Sequence, residues 1–518
     1  MALCIVIRRQ SRAKASFSYS LSRLLTRCVP NNSRNAHSAI VIGCHDNLVL
    51  SDVGKAIDEQ CGGKISELLK ISNFKAKPGK TRVFHGLHKD FPCIAVAGIG
   101  AEKAAANELE ALDVQKENVR VGIGAAVNQL QTLEVEHAEV DHCSQPTAAA
   151  EAATLCSYKF DHLKTKKKKK EPLKFVLSKR DKSATDHNDA WSRGVIMADC
   201  QNFARYLMEL PSNYKTPRKL ADIVVERLAP CKGIEVVIRD KEWMEKKKMG
   251  CFLGVAQGST EPPVLVEIKY SGPADKTVAV VGKGVTFDTG GISIKPSAKM
   301  SEMKGDMGGA ACTVASIEAA CRLGLNLNIV GLMALTENMP SGNAIKPGDV
   351  LTAMNGKTVE VDNTDAEGRL ILADALVYAD SFKPKRIINL ATLTGAMRIA
   401  LGAGAAGTFT NSNSLWNVLN EAGFISGDRL WRMPLFELYS KEMDCSLTAD
   451  LRNTQKTAGS AGSCTAAAFL KEFVTVDHWA HIDIAGVMTS AGEVPYLGKG
   501  MTGRPTRTLV EALEILSR

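Results

Sequence analysis

Short apolar segments alternate with helical segments along most of this chain of 518 residues. Apolar segments without polar interruptions are typical of strands that are buried on both faces. Buried strands separated by helices in turn indicate a parallel or mixed sheet that is covered by helices on both sides. The sequence therefore predicts an α/β fold, in which functional residues usually lie at the carboxyl ends of the strands.

The alternation divides into two unequal parts, which predicts two domains. We place the smaller N-terminal α/β domain at 39–187, a linker helix that ends before Pro211 at 188–210, and the larger C-terminal domain at 211–518. In the first domain we expect strands at 39–43, 93–97 and 173–177, and helices at 101–112 and 117–130. In the second we expect a mixed sheet flanked by helices, with strands at 264–270, 277–281, 326–332, 386–390 and 481–485 and helices at 308–323 and 365–378.

Residues 1–38 have a composition of their own. They are rich in serine, contain no acidic residue, and carry seven positive ones: Arg8, Arg9, Arg12, Lys14, Arg23, Arg27 and Arg34. This composition predicts a mitochondrial transit peptide, and the alternative is a disordered tail on a cytoplasmic protein. Most of the formal net charge of +9 belongs to this stretch, so the rest of the chain gives no reason to expect nucleic-acid binding.

The composition excludes several classes of protein. No run of roughly 18 apolar residues occurs, so no membrane-spanning helix is expected. The 14 cysteines form no C-x-x-C pair, which argues against a zinc ribbon or a disulfide scaffold and suits free thiols. A lysine run, Lys164 and Lys166 to Lys170, could contact phosphates, but we interpret it as a solvated loop.

Residues that can carry chemistry concentrate in four glycine-rich segments, at 281–288, 290–295, 304–309 and 363–369. Together these segments supply four carboxylates, two lysines and one arginine at the predicted ends of elements: Asp288, Asp306, Asp365, Glu367, Lys283, Lys295 and Arg369. Four converging carboxylates would repel one another and shift their pKa values strongly unless a cation lay between them. Because four acids exceed the need of one ion, we predict a two-metal centre.

Different kinds of site fit these four segments less well. No histidine lies between His187 and His478, which excludes a histidine-based zinc site or a Ser-His triad here. Carboxylate ligands suit Mg²⁺, Mn²⁺ or Zn²⁺. Each acid alone could cap a helix, but caps do not explain Lys283 directly after an apolar strand, or Gly368 in the first turn of a helix. A phosphate-binding loop fails because Gly284 stands where Ser or Thr should follow the lysine.

The segment Asn363-Thr-Asp-Ala-Glu-Gly-Arg-Leu370 matches the signature octapeptide of the leucyl aminopeptidase family of metallopeptidases. The chain resembles that family from about residue 39 to the C-terminus, most densely at 281–372, 465–473 and 500–507. The resemblance makes 211–518 the catalytic metallopeptidase domain.

The resemblance implies two divalent metal ions (Zn²⁺, Mn²⁺ or Mg²⁺) per subunit. One set of ligands would be Asp288, Asp365 and Glu367, with the Asp365 carbonyl included, and the other Lys283, Asp288, Asp306 and Glu367. Which set binds more tightly stays open. Lys295 and Arg369 match the two catalytic positions, and Lys283 can ligate only as a neutral amine.

The resemblance also implies a set of substrate contacts: Lys283, Asp288, Ser293, Lys295, Met303, Asp306, Thr392, Gly395, Ala485 and Met488. Five of these residues form a mostly apolar pocket that suits a leucine-like side chain: Met303, Thr392, Gly395, Ala485 and Met488. Leu210 replaces a threonine that some members have near an additional metal site, so we predict no such site. Gly305 replaces a commonly larger residue beside Asp306, and we expect a looser loop there.

The implied function is that of a leucyl aminopeptidase, a metallo-exopeptidase and hydrolase. It would remove N-terminal, preferably leucine-like, residues from peptides with a free N-terminus by attack of a metal-activated water, with a bicarbonate at Arg369 as general base. The resemblance further implies a homohexamer, and we expect neither membrane nor nucleic acid as a partner. The alternative is a non-enzymatic scaffold or nucleic-acid-binding paralogue of the same fold, against which the presence of all seven core positions argues.

Overall fold

The computed structural model describes residues 38–104, 106–165, 171–181, 186–273 and 276–518. The predicted transit peptide, except for Ser38, and the lysines from Lys166 to Lys170 lie outside the described residues.

The N-terminal part contains one sheet of five strands among the residues described. Its elements are β1 Ser38–Cys44, α1 Asp52–Gln60, α2 Lys64–Ile71, β2 Thr81–His85, β3 Cys93–Gly98, α3 Val114–Thr132, β4 His137–Val140, α4 Pro146–Ser157 and β5 Lys174–Leu177. The strand order is β2-β3-β1-β4-β5, and only the β2–β3 pair is antiparallel. The three strands and the second helix that we predicted for this part are confirmed.

The helix predicted at 101–112 is wrong. The described residues of this stretch, 101–104 and 106–112, form turns and irregular structure, most of their side chains are exposed, and Ala111 has a φ of +49°. Its alanines, glutamates and lysines favour a helix locally, but they offer no apolar stripe that could pack on the sheet. Helix propensity alone therefore does not produce a helix here, because a helix in this stretch would have no apolar face to bury.

The C-terminal part is larger and follows the helix α5. Its elements are α5 Asn188–Glu209, α6 Pro217–Leu228, β6 Ile234–Arg239, α7 Lys241–Lys246, α8 Gly250–Ala256, β7 Val264–Tyr270, β8 Thr277–Asp288, α9 Gly308–Leu323, β9 Asn328–Asn338, β10 Val350–Thr352, β11 Thr358–Glu360, α10 Glu367–Asp380, β12 Arg386–Ala391, α11 Gly395–Leu401, β13 Ala406–Thr410, α12 Asn413–Ser426, β14 Leu430–Arg432, α13 Glu437–Met443, β15 Leu451–Arg452, α14 Gly462–Lys471, β16 Trp479–Asp483, β17 Thr489–Ala491, β18 Lys499–Met501 and α15 Thr506–Ser517.

Eight of these strands form one mixed sheet in the part of the chain that the structure describes, in the order β14-β13-β16-β12-β8-β9-β7-β6. The four central strands, β16, β12, β8 and β9, run parallel, so their carboxyl ends meet at one edge. Small antiparallel or mixed pairings join β10-β11-β15 and β17-β18. The predicted α/β fold, with a smaller N-terminal and a larger C-terminal domain, is confirmed.

Helices cover both faces of the large sheet, as the buried strands require. Val278 and Val280 of β8 pack into one core with α5, α6, α9, α12 and α15, whereas Ala279 and Val281 pack into a second core with α8, α10 and α14. This alternation follows the two-residue period of a strand. The uninterrupted apolar run from Val278 to Val281 in β8 therefore reflects burial on both faces.

Helix α5 contributes to the cores of both parts. Trp191 and Ala198 pack in the core of the N-terminal part, and Phe203 and Leu207 pack in the core of the C-terminal part. The linker helix predicted at 188–210 is confirmed. No helix in the described ranges is long and apolar enough to cross a membrane.

Candidate metal centre

A β-bulge in β8 brings two predicted metal ligands to the same side of the sheet. Lys283 and Asp288 are separated by an odd number of positions, which in a regular strand puts their side chains on opposite faces. After Val285, two steps along β8 match a single step along β9. The extra residue shifts the alternation by one, so that both side chains point to the α10 side.

The Lys283 side chain is 3% exposed, and its ammonium lies between two carboxylates. Nζ is 2.8 Å from Asp306 Oδ2 and 2.8 Å from Glu367 Oε1, and it donates to the carbonyl oxygen of Thr392 at 3.0 Å. Glu367 is the first residue of α10, and Gly368 follows it. A Cβ at Gly368 would lie 2.7 Å from Lys283 Cε. Glycine in the first turn of α10 therefore makes room for the lysine.

Lys295 lies on the loop after β8 and joins the other two carboxylates. Its Nζ is 2.8 Å from Asp288 Oδ2 and forms an ion pair with Asp365 Oδ1. The other oxygen of Asp288 accepts hydrogen bonds from Gly290 N and Asn338 Nδ2, both at 2.9 Å. The side chains of Lys295 and Asp365 are 21% and 33% exposed, so this end of the centre is open to solvent.

Burial sets the electrostatics of the cluster. Burial, followed by the charge of Asp288, raises the pKa of Glu367 above the usual carboxyl value, and burial raises the pKa of Asp306 and of Asp365. Burial by itself would lower the pKa of Lys283, but the surrounding carboxylates outweigh it and raise that pKa above its usual value. Positive charge beside these three carboxylates favours their ionised forms.

The donor set fits a divalent cation. Asp288, Asp306 and Glu367 are buried, and each places one ligand oxygen within 4.8 Å of the others. Apart from ion pairs with the lysines, the buried oxygens Asp306 Oδ2 and Glu367 Oε1 and Oε2 have no hydrogen-bond donor among the described residues. Buried carboxylate oxygens without donors are what Mg²⁺, Mn²⁺ or Zn²⁺ would need as ligands. The four predicted acids therefore lie together, with Asp365 at the open end.

Arg369 lies beside this cluster in the first turn of α10. It is 7% exposed, and its Nη1 donates to the carbonyl oxygen of Asn453 at 2.7 Å. The Asn453 side chain is itself fixed, because it accepts from Asp362 N and donates to Asn363 O, both at 2.8 Å. Burial lowers the pKa of Arg369 to about 10, which leaves the guanidinium charged at neutral pH. Asn453 was missed in the sequence, since a backbone carbonyl 84 residues away leaves no local pattern.

The predicted pocket residues come from three segments that flank Asp306. Met303 lies in the 3₁₀ helix Met300–Gly305, Thr392 and Gly395 lie between β12 and the start of α11, and Ala485 and Met488 lie at the 3₁₀ helix Ala485–Val487. Thr392 Oγ1 donates to Asp306 Oδ1 at 2.7 Å. Beside Gly305, where we expected a looser loop, the sulfur atoms of Met488 and Met501 fill the space that a side chain would take.

Asp483, at the carboxyl end of β16, holds two of these segments together. Its Oδ1 accepts from Leu393 N at 3.2 Å and from Ala485 N at 3.1 Å, and its Oδ2 accepts from Thr394 Oγ1 at 2.7 Å. Asp483 was not predicted from the sequence. The sequence offered one indication of its role, an acidic residue within the apolar strand predicted at 481–485, and the structure shows that this acid is fully buried.

Ser293 braces the loop that carries Lys295. Its backbone N donates to Thr364 Oγ1 at 2.8 Å, and its Oγ accepts from Thr364 N at 3.2 Å. Thr364 is fully buried and also donates to Gly290 O at 2.6 Å. These three hydrogen bonds of Thr364 hold the loop that carries Lys295 against the segment that carries Asp365.

Two further groups in the described ranges have the composition of a metal site. In the first, Ser144 N donates to His142 Nδ1 at 3.0 Å, so His142 is the tautomer with its proton on Nε2, which faces Asp181 at 3.3 Å. In the second, arginines already neutralise Asp199 and Glu318. The cluster around Glu367 differs in that three of its buried carboxylate oxygens have no hydrogen-bond donor among the described residues apart from their ion pairs with lysine.

The chain matches one protein family over most of its length. Residues 202–510 match the catalytic domain of the cytosol aminopeptidase family, and residues 41–167 match its N-terminal domain. The chain is 50% identical to the cytosol aminopeptidase of Xenopus tropicalis over 496 residues, covering 94% of each protein. It is 54% identical to that of Homo sapiens over 468 residues, covering 89% of this chain and 88% of the relative.

The chain belongs to the cytosol aminopeptidase family. The resemblance to the leucyl aminopeptidase family is thereby confirmed, and the protein is an aminopeptidase, a hydrolase of a metal-dependent family that acts on peptides. Among solved structures, the aminopeptidase is similar to "Bottromycin maturation enzyme BotP in complex with Mn", with 30% identity and a TM-score of 0.80, covering 93% of this chain and 100% of that one.

Proposed function

We propose that this aminopeptidase removes N-terminal, preferably leucine-like, residues from peptides by means of two divalent metal ions. The observation that carries the proposal is the buried group of Asp288, Asp306 and Glu367, with its ligand oxygens within 4.8 Å of one another. Asp365 and Lys283 complete the proposed ligands. The family resemblance would place Asp288 and Glu367 in both ligand sets.

Metal ions held there would supply Lewis-acid chemistry, polarising the scissile carbonyl and lowering the pKa of a water molecule. The identity of the ions, Zn²⁺, Mn²⁺ or Mg²⁺, follows from the carboxylate-rich donor set. For Lys283 to be a ligand, it must exchange its ion pairs for the metal and lose one proton. Dications beside an amine favour that loss, in contrast to the carboxylates that now surround it.

Lys295 is suited to act on the substrate directly. Its ammonium is partly exposed at the open end of the centre, where Asp288 and Asp365 hold it. Burial by itself would lower the pKa of Lys295, but the neighbouring carboxylates, first Asp288 and then Glu367, outweigh it and raise that pKa above its usual value. A fixed cation at this position can stabilise the oxyanion that develops on the scissile carbonyl.

Arg369 is suited to hold a small oxyanion. Asn453 takes up one guanidinium nitrogen and orients the planar group, while its remaining N–H donors can bind a bidentate partner. We propose bicarbonate as that partner and as the general base, because no histidine lies among the residues of the centre to serve instead.

The pocket explains the proposed preference for leucine-like residues. Met303 and Met488 carry thioether side chains, and a Cβ at Gly395 would meet nothing within 4 Å. Flexible, apolar methionines adapt to branched aliphatic groups better than to charged ones. Asp483 fixes the two backbone segments that carry Gly395 and Ala485, which keeps the pocket in shape.

The proposal is tested by hydrolysis of leucine p-nitroanilide by the full-length protein with added Mn²⁺, Zn²⁺ or Mg²⁺, and again after a chelator. We expect release of nitroaniline that the chelator abolishes and that added metal restores. Glutamate and lysine anilides serve as matched substrates and should be cleaved more slowly. A fully metallated protein that cleaves none of these substrates would instead support the non-enzymatic scaffold or nucleic-acid-binding alternative.

We also propose that the protein works as a homohexamer and that its N-terminal stretch directs it to mitochondria. The hexamer rests on the family resemblance, and sedimentation analysis of the purified protein tests it. The targeting rests on the arginine- and serine-rich composition of residues 1–38, whereas the matched relatives are named cytosol aminopeptidases. N-terminal sequencing of the protein from its native cells distinguishes the two locations.

A further inference from the structure

Two cysteines meet at the end of α9 that is remote from the metal centre. Cys321 lies in the last turn of α9, and Cys231 lies in the loop between α6 and β6. Helix α9 begins directly after the Asp306–Met307 turn and spans 16 residues, which corresponds to a length of about 24 Å. The pair is therefore separate from the chemistry of the carboxylate cluster.

The fold places the two cysteines side by side, because Cys321 Sγ is hydrogen-bonded to the residue that follows Cys231 and both side chains pack on the same core. The thiol of Cys231 hydrogen-bonds to the sulfur of Cys321, and the thiol of Cys321 donates to the carbonyl oxygen of Lys232 at 3.1 Å. Both cysteines are free and partly exposed, and both pack on the edge of the core beneath α9. A small reagent can therefore reach two thiols that the fold already holds side by side.

A buried ion-pair network keeps the elements on both sides of the pair in place. Arg227 of α6 lies 2.8 Å from Glu318 of α9 and 2.9 Å from Asp199 of α5. Arg322, next to Cys321, lies 3.1 Å from Glu318 and 2.5 Å from Asp199. These pairs fix α6 against α9 within about one turn of each cysteine, so the two thiols are held in the same neighbourhood of the fold.

We propose that Cys231 and Cys321 form a redox modification site, which a hydroperoxide converts reversibly into an intramolecular disulfide. One sulfur attacks the peroxide, so that an S–O bond forms, the O–O bond breaks and water or an alcohol leaves. The second sulfur then displaces the hydroxyl group, which forms the S–S bond and releases water. The two thiols together lose two electrons and two protons, and the peroxide takes up both.

The environment makes this reaction slow, which suits a pair that is reduced at rest. Burial raises the pKa of Cys231 to about 12, and it also raises the pKa of Cys321. Only the thiolate is nucleophilic, so brief exposure to oxidant leaves the pair as thiols. Once formed, the disulfide closes a loop between residues 231 and 321 and removes conformational freedom from the unfolded chain.

The test is peptide mapping of the full-length protein before and after treatment with hydrogen peroxide, with free thiols blocked and no reductant present. We expect a cross-linked peptide that joins Cys231 to Cys321 and lacks the mass of two hydrogens, and that disappears after treatment with dithiothreitol. The oxidised protein should also unfold at a higher temperature than the reduced protein.

The matched control is Cys445, because it shares partial exposure with the pair, whereas the other described cysteines are buried. Cys445→Ser should form the same cross-link as the unmodified protein, whereas Cys231→Ser and Cys321→Ser should not. The proposal is overturned if the unmodified protein oxidises these cysteines to sulfinic acid without a cross-link, or if either one pairs with another cysteine or another subunit.

Discussion

The two lysines of the metal centre have the same kinds of partner but very different surroundings. The Lys283 side chain is 3% exposed, extends from a central strand and pairs with Asp306 and Glu367. The Lys295 side chain is 21% exposed, extends from a loop and pairs with Asp288 and Asp365. Burial and backbone support, rather than residue type, therefore separate a proposed metal ligand from a proposed catalytic donor.

The largest effect is expected from Lys283→Arg. A guanidinium stays protonated, so it cannot ligate a metal ion, and its bulk does not fit beside Gly368. We expect the loss of one metal ion per subunit, measured by elemental analysis, and a fall in kcat/KM of roughly 10³-fold, because the two ions act together.

Lys304→Arg is the matched control for this substitution. Lys304 lies only two residues before Asp306, but its Nζ pairs with Glu209 at 2.9 Å, outside the carboxylate cluster. This variant should keep both metal ions and nearly full activity. Full metal occupancy in Lys283→Arg would remove Lys283 from the proposed ligands.

The next largest effect is expected from Lys295→Ala, and it should be confined to turnover. Removal of one fixed donor to a developing oxyanion lowers kcat by roughly 10²- to 10³-fold. Metal content should stay at the unmodified level, because Asp288 is still held by Gly290 and Asn338. If elemental analysis showed that this variant had lost metal, the contrast between the two lysines would disappear.

The sequence predicted the members of the centre better than the way they are held. Acids and lysines in glycine-rich segments after apolar strands identified Lys283, Asp288 and Glu367, because the carboxyl ends of parallel strands meet at one edge. The bulge after Val285 could not be predicted, since it depends on the pairing of β8 with β9. Asp483 acts through contacts about 90 residues away in sequence, which leave no local pattern.

A smaller effect, on metal affinity, is expected from Gly368→Ala. Alanine favours a helix by about 1 kcal/mol over glycine, so helix propensity alone predicts a more stable protein. A Cβ at this position, however, would lie 2.7 Å from Lys283 Cε and 2.8 Å from its Nζ, which forces the lysine away from Glu367. We expect metal affinity to fall by about 10- to 100-fold in a metal titration, as for other groups that position a ligand.

Gly342→Ala is the control, because a Cβ there meets nothing within 4 Å. It should leave metal affinity unchanged. Equal affinities in the two alanine variants would mean that Gly368 does not position Lys283.

A separate effect, on stability rather than on activity, is expected at acid pH, and it should come from a histidine buried behind Arg369 and outside the carboxylate cluster. His481 is fully buried near Arg369, and Asn389 Nδ2 lies 2.9 Å from its Nδ1. Burial, and after it the charge of Arg369, lowers the pKa of His481 from 6.5 to about 3. The histidine is therefore neutral in the folded protein over a range in which the unfolded chain binds a proton.

Because the unfolded state gains this proton as the pH falls below 6.5, the folded state loses stability in the same direction, down to about pH 3. The loss from this one group is about 1.4 kcal/mol per pH unit. His481→Gln keeps an acceptor for Asn389 but has no titratable ring, so its free energy of unfolding should decline less steeply between about pH 6 and pH 4. Urea unfolding of both proteins at several pH values gives the slope of the free energy of unfolding against pH for each protein. The slopes are compared rather than the absolute stabilities, because the substitution also removes the stacking of His481 on Phe409. Parallel slopes would show that His481 takes up its proton at the same pH in the folded and unfolded states, and that the buried surroundings of this histidine tolerate a charge beside Arg369.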